Sequence, residues 1–263
     1  MSGETKTHAE FSGSRHFVTA FARGLAVIEA FGPDNRTMTV ADVATATGLD
    51  RAVARRLLLT LVELGFAHVH GRRFELSSRV LRLAYSFLAS AGLGASLQPF
   101  LDELARTIGE TVSLSVLDEA EVVFVARSDI PGRRLAFVVN TGMRLPAFSA
   151  ASGRVLLAHQ PRRDVERLLT RTRIVRHTRH TIMQKRALMA AIDQARANGY
   201  AENREEIEDG LVGLSVPVVN RAGLVVAALN ASTTPARADE KQVHKVLVPQ
   251  LAKMAGQLSG MLP

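Results

Sequence analysis

The sequence predicts an α+β chain made of an N-terminal winged helix-turn-helix, a linker helix and a C-terminal α/β unit. Three observations carry this. Residues 17–76 run in the order helix, short helix, glycine turn, longer helix, hairpin, which is the order of a winged helix-turn-helix. Gly92 and Gly94 then interrupt the apolar pattern behind one further helix. Beyond them, strands come in groups with helices packed to one side, an α+β arrangement. The divisions are 1–16 as a flexible arm, 17–76 as the first domain, 77–93 as the linker and 94–263 as the second domain. A chain of 263 residues suits two ordinary domains and buries a core without staples.

Each element has a local cause. Phe17, Phe21, Leu25, Ile28 and Phe31 recur every three to four residues and form one apolar stripe. Gly32-Pro33-Asp34-Asn35 stops that helix. Thr39 N-caps a short second helix with Asp42 three residues on; Val40, Val43 and Ala44 face inward, and Gly48 ends it. Asp50 caps a third helix with Val53, Leu57, Leu61 and Leu64 on the buried side, stopped by Gly65. Phe66–His70 and Phe74–Leu76 make a hairpin around His70-Gly71-Arg72-Arg73. Ser77 or Ser78 caps a helix from Arg79 to about Ser90, apolar at Val80, Leu81, Leu83, Ala84, Phe87 and Leu88 and therefore seeking a partner surface.

In the second domain, Leu97, Phe100, Leu101, Leu104 and Ile108 mark a helix ending at Gly109. Thr111–Val116 and Glu121–Ala126 form a hairpin, and Arg134–Val139 reads as a third strand. Thr141–Gly153 is a loop of small residues leading into a helix, Arg154–His159. Further helices lie near Asp164–Leu169 and Ile182–Ala197. Val212–Val219 and Leu224–Ser232 pair around Asn220-Arg221-Ala222-Gly223, and a last helix runs from about Asp239 to Met261.

Composition narrows the function. Hydrophobic residues are 47% and charged ones 22%, which excludes wholesale disorder. The absence of cysteine excludes disulfide frameworks, thiolate metal sites and thiol nucleophiles. The longest apolar runs, such as Val122–Ala126 and Leu224–Leu229, fall far short of the roughly 18–20 residues that span a bilayer. Met1–Ser14 has no apolar segment of the signal-peptide kind. A soluble, cytoplasmic protein with no membrane partner is expected. The formal net charge is +8, supplied mostly by arginine. Arginine suits phosphate and base recognition, although a coding bias toward arginine accounts for the total equally well.

Distribution favours nucleic acid. The exposed side of the third helix carries Arg51, Arg55, Arg56 and Thr60, the arginines near the end that enters the major groove in helix-turn-helix proteins. Arginine matches guanine O6 and N7 with a bidentate contact. Arg72 and Arg73 sit at the hairpin tip, placed for phosphates or the minor groove. The competing reading is a three-helix bundle with solvated charges; three arginines within six positions beside a basic wing favour double-stranded DNA.

Several segments carry a family resemblance. Phe21-Ala22-Arg23-Gly24-Leu25-Ala26-Val27-Ile28, Leu49-Asp50-Arg51-Ala52-Val53-Ala54-Arg55-Arg56-Leu57-Leu58, Gly142-Met143-Arg144-Leu145-Pro146-Ala147 and Ala151-Ser152-Gly153-Arg154-Val155-Leu156-Leu157-Ala158 together resemble the IclR family of bacterial transcription regulators. So does Tyr200-Ala201-Glu202-Asn203-Arg204-Glu205-Glu206 with Gly210-Leu211 and Val216-Pro217-Val218. The resemblance covers about 17–260 in the family's order. The Phe-Ala-Arg-Gly-Leu and Arg-Ala-Val-Ala-Arg-Arg runs look like the subgroup governing β-ketoadipate and related aromatic-acid catabolism. The resemblance implies a GAF-like effector-binding second domain, and assembly as a homodimer or homotetramer on operator DNA. It also implies that Asn203, Leu211 and Gly213 line or approach the effector pocket, Gly213 widening it where relatives often carry a small polar or thiol-bearing residue.

The residues themselves point the same way. The loop from Leu145 through Phe148 to Ala151, Ser152 and Gly153 delivers small residues to a helix start, where free N–H groups make an anion site. Arg144 and Arg154 flank it. Asn230 and Ser232 share one face of a strand. A small carboxylic acid is the expected effector, its carbon skeleton enclosed by Leu145, Phe148 and Leu211. Against this stand plain capping and close packing at Ser152-Gly153, and an outer-face role for Asn230 and Ser232. The arginine-dense stretch Arg162–Arg196 reads first as a solvated face, with DNA or another anionic partner as the alternative.

Enzyme motifs are missing: there is no Gly-x-Ser-x-Gly elbow, phosphate-binding glycine loop or His-Glu-x-x-His. His177 and His180 have metal-pair spacing but lie beside Arg176 and Arg179, so neither metal nor cofactor is expected. Glu205 and Glu206 are adjacent carboxylates without a nucleophile. The rival class is a small-molecule hydrolase or isomerase fused to a DNA-binding module.

Overall fold

Local signals set the first unit. In the computed structural model, which describes residues 16–32, 34–90, 95–131 and 139–262, the chain divides into two compact units, Met1–Phe87 and Leu88–Pro263. The division falls inside the expected linker. The arm, the glycines Gly92 and Gly94, and the expected strand up to residue 138 lie outside the described residues.

Helix α1 spans Thr19–Glu29. A two-residue strand β1 (Met38–Thr39) leads into α2 (Val40–Thr47), where Thr39 and Asp42 form a full capping box: Thr39 Oγ1 accepts from Asp42 N–H at 3.2 Å, and Asp42 Oδ2 accepts from Thr39 N–H at 2.8 Å. These bonds hold the Asp42 carboxyl below its ordinary pKa, the backbone bond from Thr39 contributing most. Gly48 closes α2 at φ 66°, a left-handed conformation that glycine adopts without Cβ strain. Asp50 caps α3 (Arg51–Glu63) through a 2.7 Å bond from Ala52 N–H. Strands β2 (Ala67–His70) and β3 (Arg73–Leu76) form the wing, and β1 pairs with β3.

Two expected faces are corrected. On α3 the buried residues are Ala54, Leu58 and Leu61, a set turned by about one residue from Val53, Leu57, Leu61 and Leu64; Leu64 is 53% exposed. On α1 only Val27 is buried, while Phe21 is 68% and Leu25 42% exposed. This unit covers the stripe in part: Ile28 and Phe31 pack against its core, while Phe21 and Leu25 are left open. Its core is Val27, Met38, Val43, Ala54, Leu58 and Phe74 with their neighbours.

Ser77, not Ser78, caps the turn Ser78–Val80, its Oγ accepting from Arg79 N–H at 3.1 Å; α4 (Leu81–Ser90) follows.

The second unit is a six-stranded sheet in the order β6-β5-β4-β9-β8-β7, with every described pairing antiparallel. Its strands are β4 (Thr111–Asp118), β5 (Glu121–Ser128), β6 (Arg144–Pro146), β7 (Ala201–Arg204), β8 (Val212–Val219) and β9 (Val225–Thr233). One face packs on α5 (Gln98–Ile108) and the C-terminal helix through Leu101, Leu114, Leu214, Leu229 and Leu251. The other packs on α6 (Ala151–Ala158), α7 (Arg162–Arg171) and α8 (Lys185–Asn198) through Phe124, Phe148, Leu157, Leu188 and Ala228. Each such leucine withdraws a side chain worth about 1.5–3 kcal/mol from water.

The last helix is interrupted. After α9 (Glu240–Gln242) the chain widens into a π-helical stretch, Val243–Leu247, before α10 (Val248–Ser259). Pro249 explains the break: it has no N–H and its ring crowds the carbonyl four residues back, which a wider turn relieves.

Candidate functional site

On α3, Arg51, Arg55, Arg56 and Thr60 are all exposed, and Arg56 and Thr60 point away from the buried Ala54–Leu58–Leu61 face. Thr60 Oγ1 donates to the Arg56 carbonyl at 2.9 Å, so its hydroxyl proton is committed, and among the described residues no acid pairs with the three arginines. At the wing, His70 pairs with Arg73 in register, leaving Gly71-Arg72 as the turn. Arg72 is at the tip. Arg73 instead bonds Thr37, Nη1 to its carbonyl at 3.0 Å and to Oγ1 at 3.4 Å, which ties the wing to the body of the unit.

In the second unit, strand register assembles the predicted polar residues. Directly opposed residues of antiparallel strands share a face. One row crosses the sheet as Arg127, Ser113, Asn230 and Ser215; the next as Thr111, Ser232, Gly213 and Asn203. Asn230 Nδ2 donates to Ser232 Oγ at 3.1 Å and to Ser113 Oγ at 3.5 Å. Asn230 and Ser232 are therefore buried under α6, not on an outer face. Ser115 lies two residues beyond Ser113 on the same face, fully buried, and its Oγ has no hydrogen-bond partner. Such an orphan hydroxyl is costly unless something fills it.

Above this floor is the start of α6. Ala150 is its N-cap and supplies no side-chain bond, so the first N–H groups have no intrahelical acceptor. Leu145, Phe148, Ala151, Ser152, Gly153 and Leu211 are all buried around it. Gly153 permits this closeness: a Cβ there would lie 2.1 Å from the Ala147 carbonyl oxygen. Close packing at Gly153 and an open helix end at Ser152 coexist.

Three expectations are corrected. Gly213 does not widen a pocket, because Asn203 fills the space: its Oδ1 accepts from Gly213 N–H at 2.9 Å, its Nδ2 donates to the Ser149 carbonyl at 3.0 Å, and a Cβ on Gly213 would sit 2.3 Å from Oδ1. Arg154 is not a free flanking charge. It is 3% exposed, and Glu206 takes both its Nη atoms at 2.6 Å while Nε donates to the Phe148 carbonyl at 3.0 Å. This is a bidentate buried pair. Arg144 is likewise engaged, by Glu121 at 2.7 Å and Asp118 at 2.6 Å; burial lowers its pKa, but these acids outweigh it and hold the guanidinium above its ordinary value.

The Glu206 side of the pair depends on a strained neighbour. Glu205 has φ 56°, left-handed for a residue with a Cβ; Thr178 Oγ1 donates to its carbonyl at 2.6 Å and its Oε1 accepts from Gly210 N–H at 2.9 Å. The adjacent carboxylates thus have separate structural jobs.

Sequence reading missed Ser113, Ser115, Ser215 and Arg127. Alternation in Ser113-Leu114-Ser115 marked them as one face. Arg127 is 11% exposed in its side chain and pairs with Asp129, whose Oδ1 also accepts from Thr111 at 3.2 Å. His180 faces Glu205 and Asp209, one ligand atom of each lying within 4.8 Å of the others, but Arg179 Nε donates to His180 Nε2 at 3.0 Å, setting a cation against the atom a metal would use.

Residues 85–260 match the family model for the C-terminal domain of the bacterial transcriptional regulator IclR, and residues 20–71 match that of the IclR helix-turn-helix domain. The Pca regulon regulatory protein of Pseudomonas putida is 35% identical over 241 residues, 92% of this chain and 83% of the relative. The p-hydroxybenzoate hydroxylase transcriptional activator of Acinetobacter baylyi is 36% identical over 250 residues, 94% of this chain and 92% of the relative. Among solved structures, an IclR homolog from Microbacterium hydrocarbonoxydans complexed with 4-hydroxybenzoate superposes with a TM-score of 0.78 at 25% identity, covering 93% of this chain and 99% of that one.

Proposed function

The chain belongs to the IclR family of bacterial transcription regulators, and from that premise we propose that its effector is a small aromatic or dicarboxylic acid of the β-ketoadipate route. 4-Hydroxybenzoate, protocatechuate and β-ketoadipate are the first candidates. It is a DNA-binding regulator and not an enzyme; the relatives give no support to a fused hydrolase or isomerase. No helix among the described residues is long and apolar enough to cross a membrane.

The observation that carries the effector reading is the buried floor of Ser113, Asn230, Ser232 and the unpartnered Ser115 Oγ beneath the uncapped start of α6. Apolar walls with a few placed polar groups are what a small-ligand site requires. With Arg144 and Arg154 already neutralised, and Arg127 paired with Asp129, the carboxylate falls to the Ala151–Gly153 N–H groups, aided by the helix dipole. Asn230 and the serines take the opposite polar end. A relative's complex with 4-hydroxybenzoate supports this class of acid. Thermal shift tests it, since a ligand that binds only the native state raises Tm by mass action. Wild type should gain several degrees with at least one of the three acids at millimolar concentration, and Asn230→Ala should not. Equal shifts in both would remove the floor from the site.

The reading includes a homodimer, or a tetramer of two such dimers. Val18 at the N-cap of α1, Phe21 and Leu25 on it, and Leu81 and Leu83 on α4 are exposed, and such apolar faces seldom stay open on a monomer. Double-stranded operator DNA is then read through two half-sites about one helical turn or a multiple apart. Phe21→Lys should yield a smaller species by light scattering; an unchanged mass would take α1 out of the interface.

A further inference from the structure

We propose that the exposed arginines of α7 and of the stretch after it form a second DNA contact, one that grips the phosphate backbone without reading bases. The proposal rests on the chain being a DNA-binding regulator, and starts from where its charge lies. Residues 17–76, the reading unit, carry seven arginines against six acids, so they are almost neutral. Residues 162–186 carry eight arginines and one lysine against two acids. That single stretch holds an excess of seven in a chain whose whole excess is eight. Phosphate neutralisation with counterion release dominates DNA affinity, and the reading unit by itself has little net charge to supply it.

The side chains are disposed for a line of phosphates. Arg163, Arg167 and Arg171 recur every four residues on α7, so they follow one side of the helix at about 6 Å per step. With Glu166 and Thr170 they line a shallow groove of about 250 Å³. The acids there are already spent: Glu166 on Arg162 at 3.0 Å, and Asp164 on Arg167. Among the described residues Arg163, Arg171, Arg173 and Arg186 are exposed and have no acidic partner within 4.0 Å. Planar guanidinium forks match phosphate better than ammonium groups do.

The groove also argues against other occupants. Every residue that lines it carries a charge or a hydroxyl on its side chain, and of the apolar residues of α7 Val165 and Leu169 are buried at 2% and 3% exposure while the half-buried Leu168 lies outside the groove. A protein partner needs an apolar or aromatic centre, and a membrane surface needs an apolar face to insert. A polyanion needs neither. Once the first unit holds the duplex, weak backbone contacts elsewhere on the same chain act at high effective concentration.

The test uses the full chain and a triple variant, Arg163→Gln with Arg171→Gln and Arg173→Gln, which leaves the ion pairs of Arg162 and Arg167 intact. Binding to a fluorescent random-sequence duplex is followed by anisotropy between 50 and 200 mM salt. Wild type should show a steep log–log dependence, and the variant a slope smaller by about 3 units, close to one per lost contact, at an unchanged Tm. Arg56→Gln serves as the contrast: it should relax sequence preference while changing the slope by no more than about one unit. An unaltered slope in the triple variant overturns the proposal. So does competition by polyglutamate as effective, charge for charge, as competition by unlabelled duplex, because the surface would then serve acidic protein and not DNA.

Discussion

Gly153→Ala isolates the packing that builds the effector site. Gly153 lies in the first turn of α6 with an ordinary helical backbone, where exchanging glycine for alanine normally stabilises by about 0.5–1 kcal/mol through the unfolded chain. Here the new Cβ would lie 2.1 Å from the Ala147 carbonyl oxygen and 2.3 Å from Ala147 Cα. These are backbone atoms, and they cannot swing aside. Ala147 N–H donates to the Ala120 carbonyl at 2.8 Å, and Ser149 and Ala150 N–H both donate to the Pro146 carbonyl, so the loop is fixed at both ends. Overpacking of this kind costs about 1–3 kcal/mol or more, and a rigid backbone neighbour puts it at the upper end. Gly256 is the internal standard: it is exposed on α10 with nothing within 4 Å of a built Cβ, so Gly256→Ala should gain the ordinary 0.5–1 kcal/mol or so. At about 2–4 °C per kcal/mol for a unit of this size, calorimetry should show Gly153→Ala melting about 5–10 °C below wild type and Gly256→Ala about 1–3 °C above it. If Gly153→Ala melts with wild type or higher, α6 does not lie on the 147–150 loop as described, and the site built there falls.

Other outcomes follow from single groups. Arg55→Ala or Arg56→Ala should weaken operator binding by about 1–3 kcal/mol if that arginine grips a guanine, read by gel shift against unrelated DNA; equal losses on both DNAs would reassign it to phosphate. Glu206→Ala strands the Arg154 guanidinium at 3% exposure and should cost about 3–5 kcal/mol in urea unfolding, with a change under about 1 kcal/mol counting against the pair. The Ser128 hydroxyl, with Gln98, holds the Asp102 carboxyl below its ordinary value. Because the folded pKa is the lower one, its stabilisation is complete above the unfolded value near 3.8 and disappears as pH falls through the folded one. Asp102→Asn should therefore narrow the stability gap between pH 5 and pH 2, and an identical acid profile would refute that.

What the sequence discloses and what it conceals divide along distance. The caps at Thr39 and Asp50 were legible, and the third was narrowed to Ser77 or Ser78, because donor and acceptor lie two or three residues apart. Strands β1, β6 and β7 were not, since pieces of two to four residues show too little alternation to register. Periodicity found the apolar stripe of α1 but could not say what covers it, and this unit leaves Phe21 and Leu25 open. Asn230 and Ser232 were legible as a shared face; that Ser113, Ser215 and Arg127 join the same row needed the register of three further strands. Arg154 looked like an anion donor because its partner, Glu206, lies 52 residues away. Gly213 looked like empty space for the same reason, with Asn203 folded into it from β7.

The central claim is that acid binding on the Asn230 floor is coupled to operator binding by the helix-turn-helix. A ligand shifts that equilibrium only through unequal affinity for the DNA-competent and incompetent states, and coupling free energies are typically 1–3 kcal/mol, or about 5–150-fold. The direct measurement is operator affinity by fluorescence anisotropy, with and without saturating 4-hydroxybenzoate, protocatechuate or β-ketoadipate, for wild type and Asn230→Ala. The account predicts a shift of at least about fivefold in wild type with one of these acids, and a variant that matches wild type without acid and does not respond to it. An Asn230→Ala protein that responds as fully as wild type, or a wild type indifferent to all three acids, would contradict it.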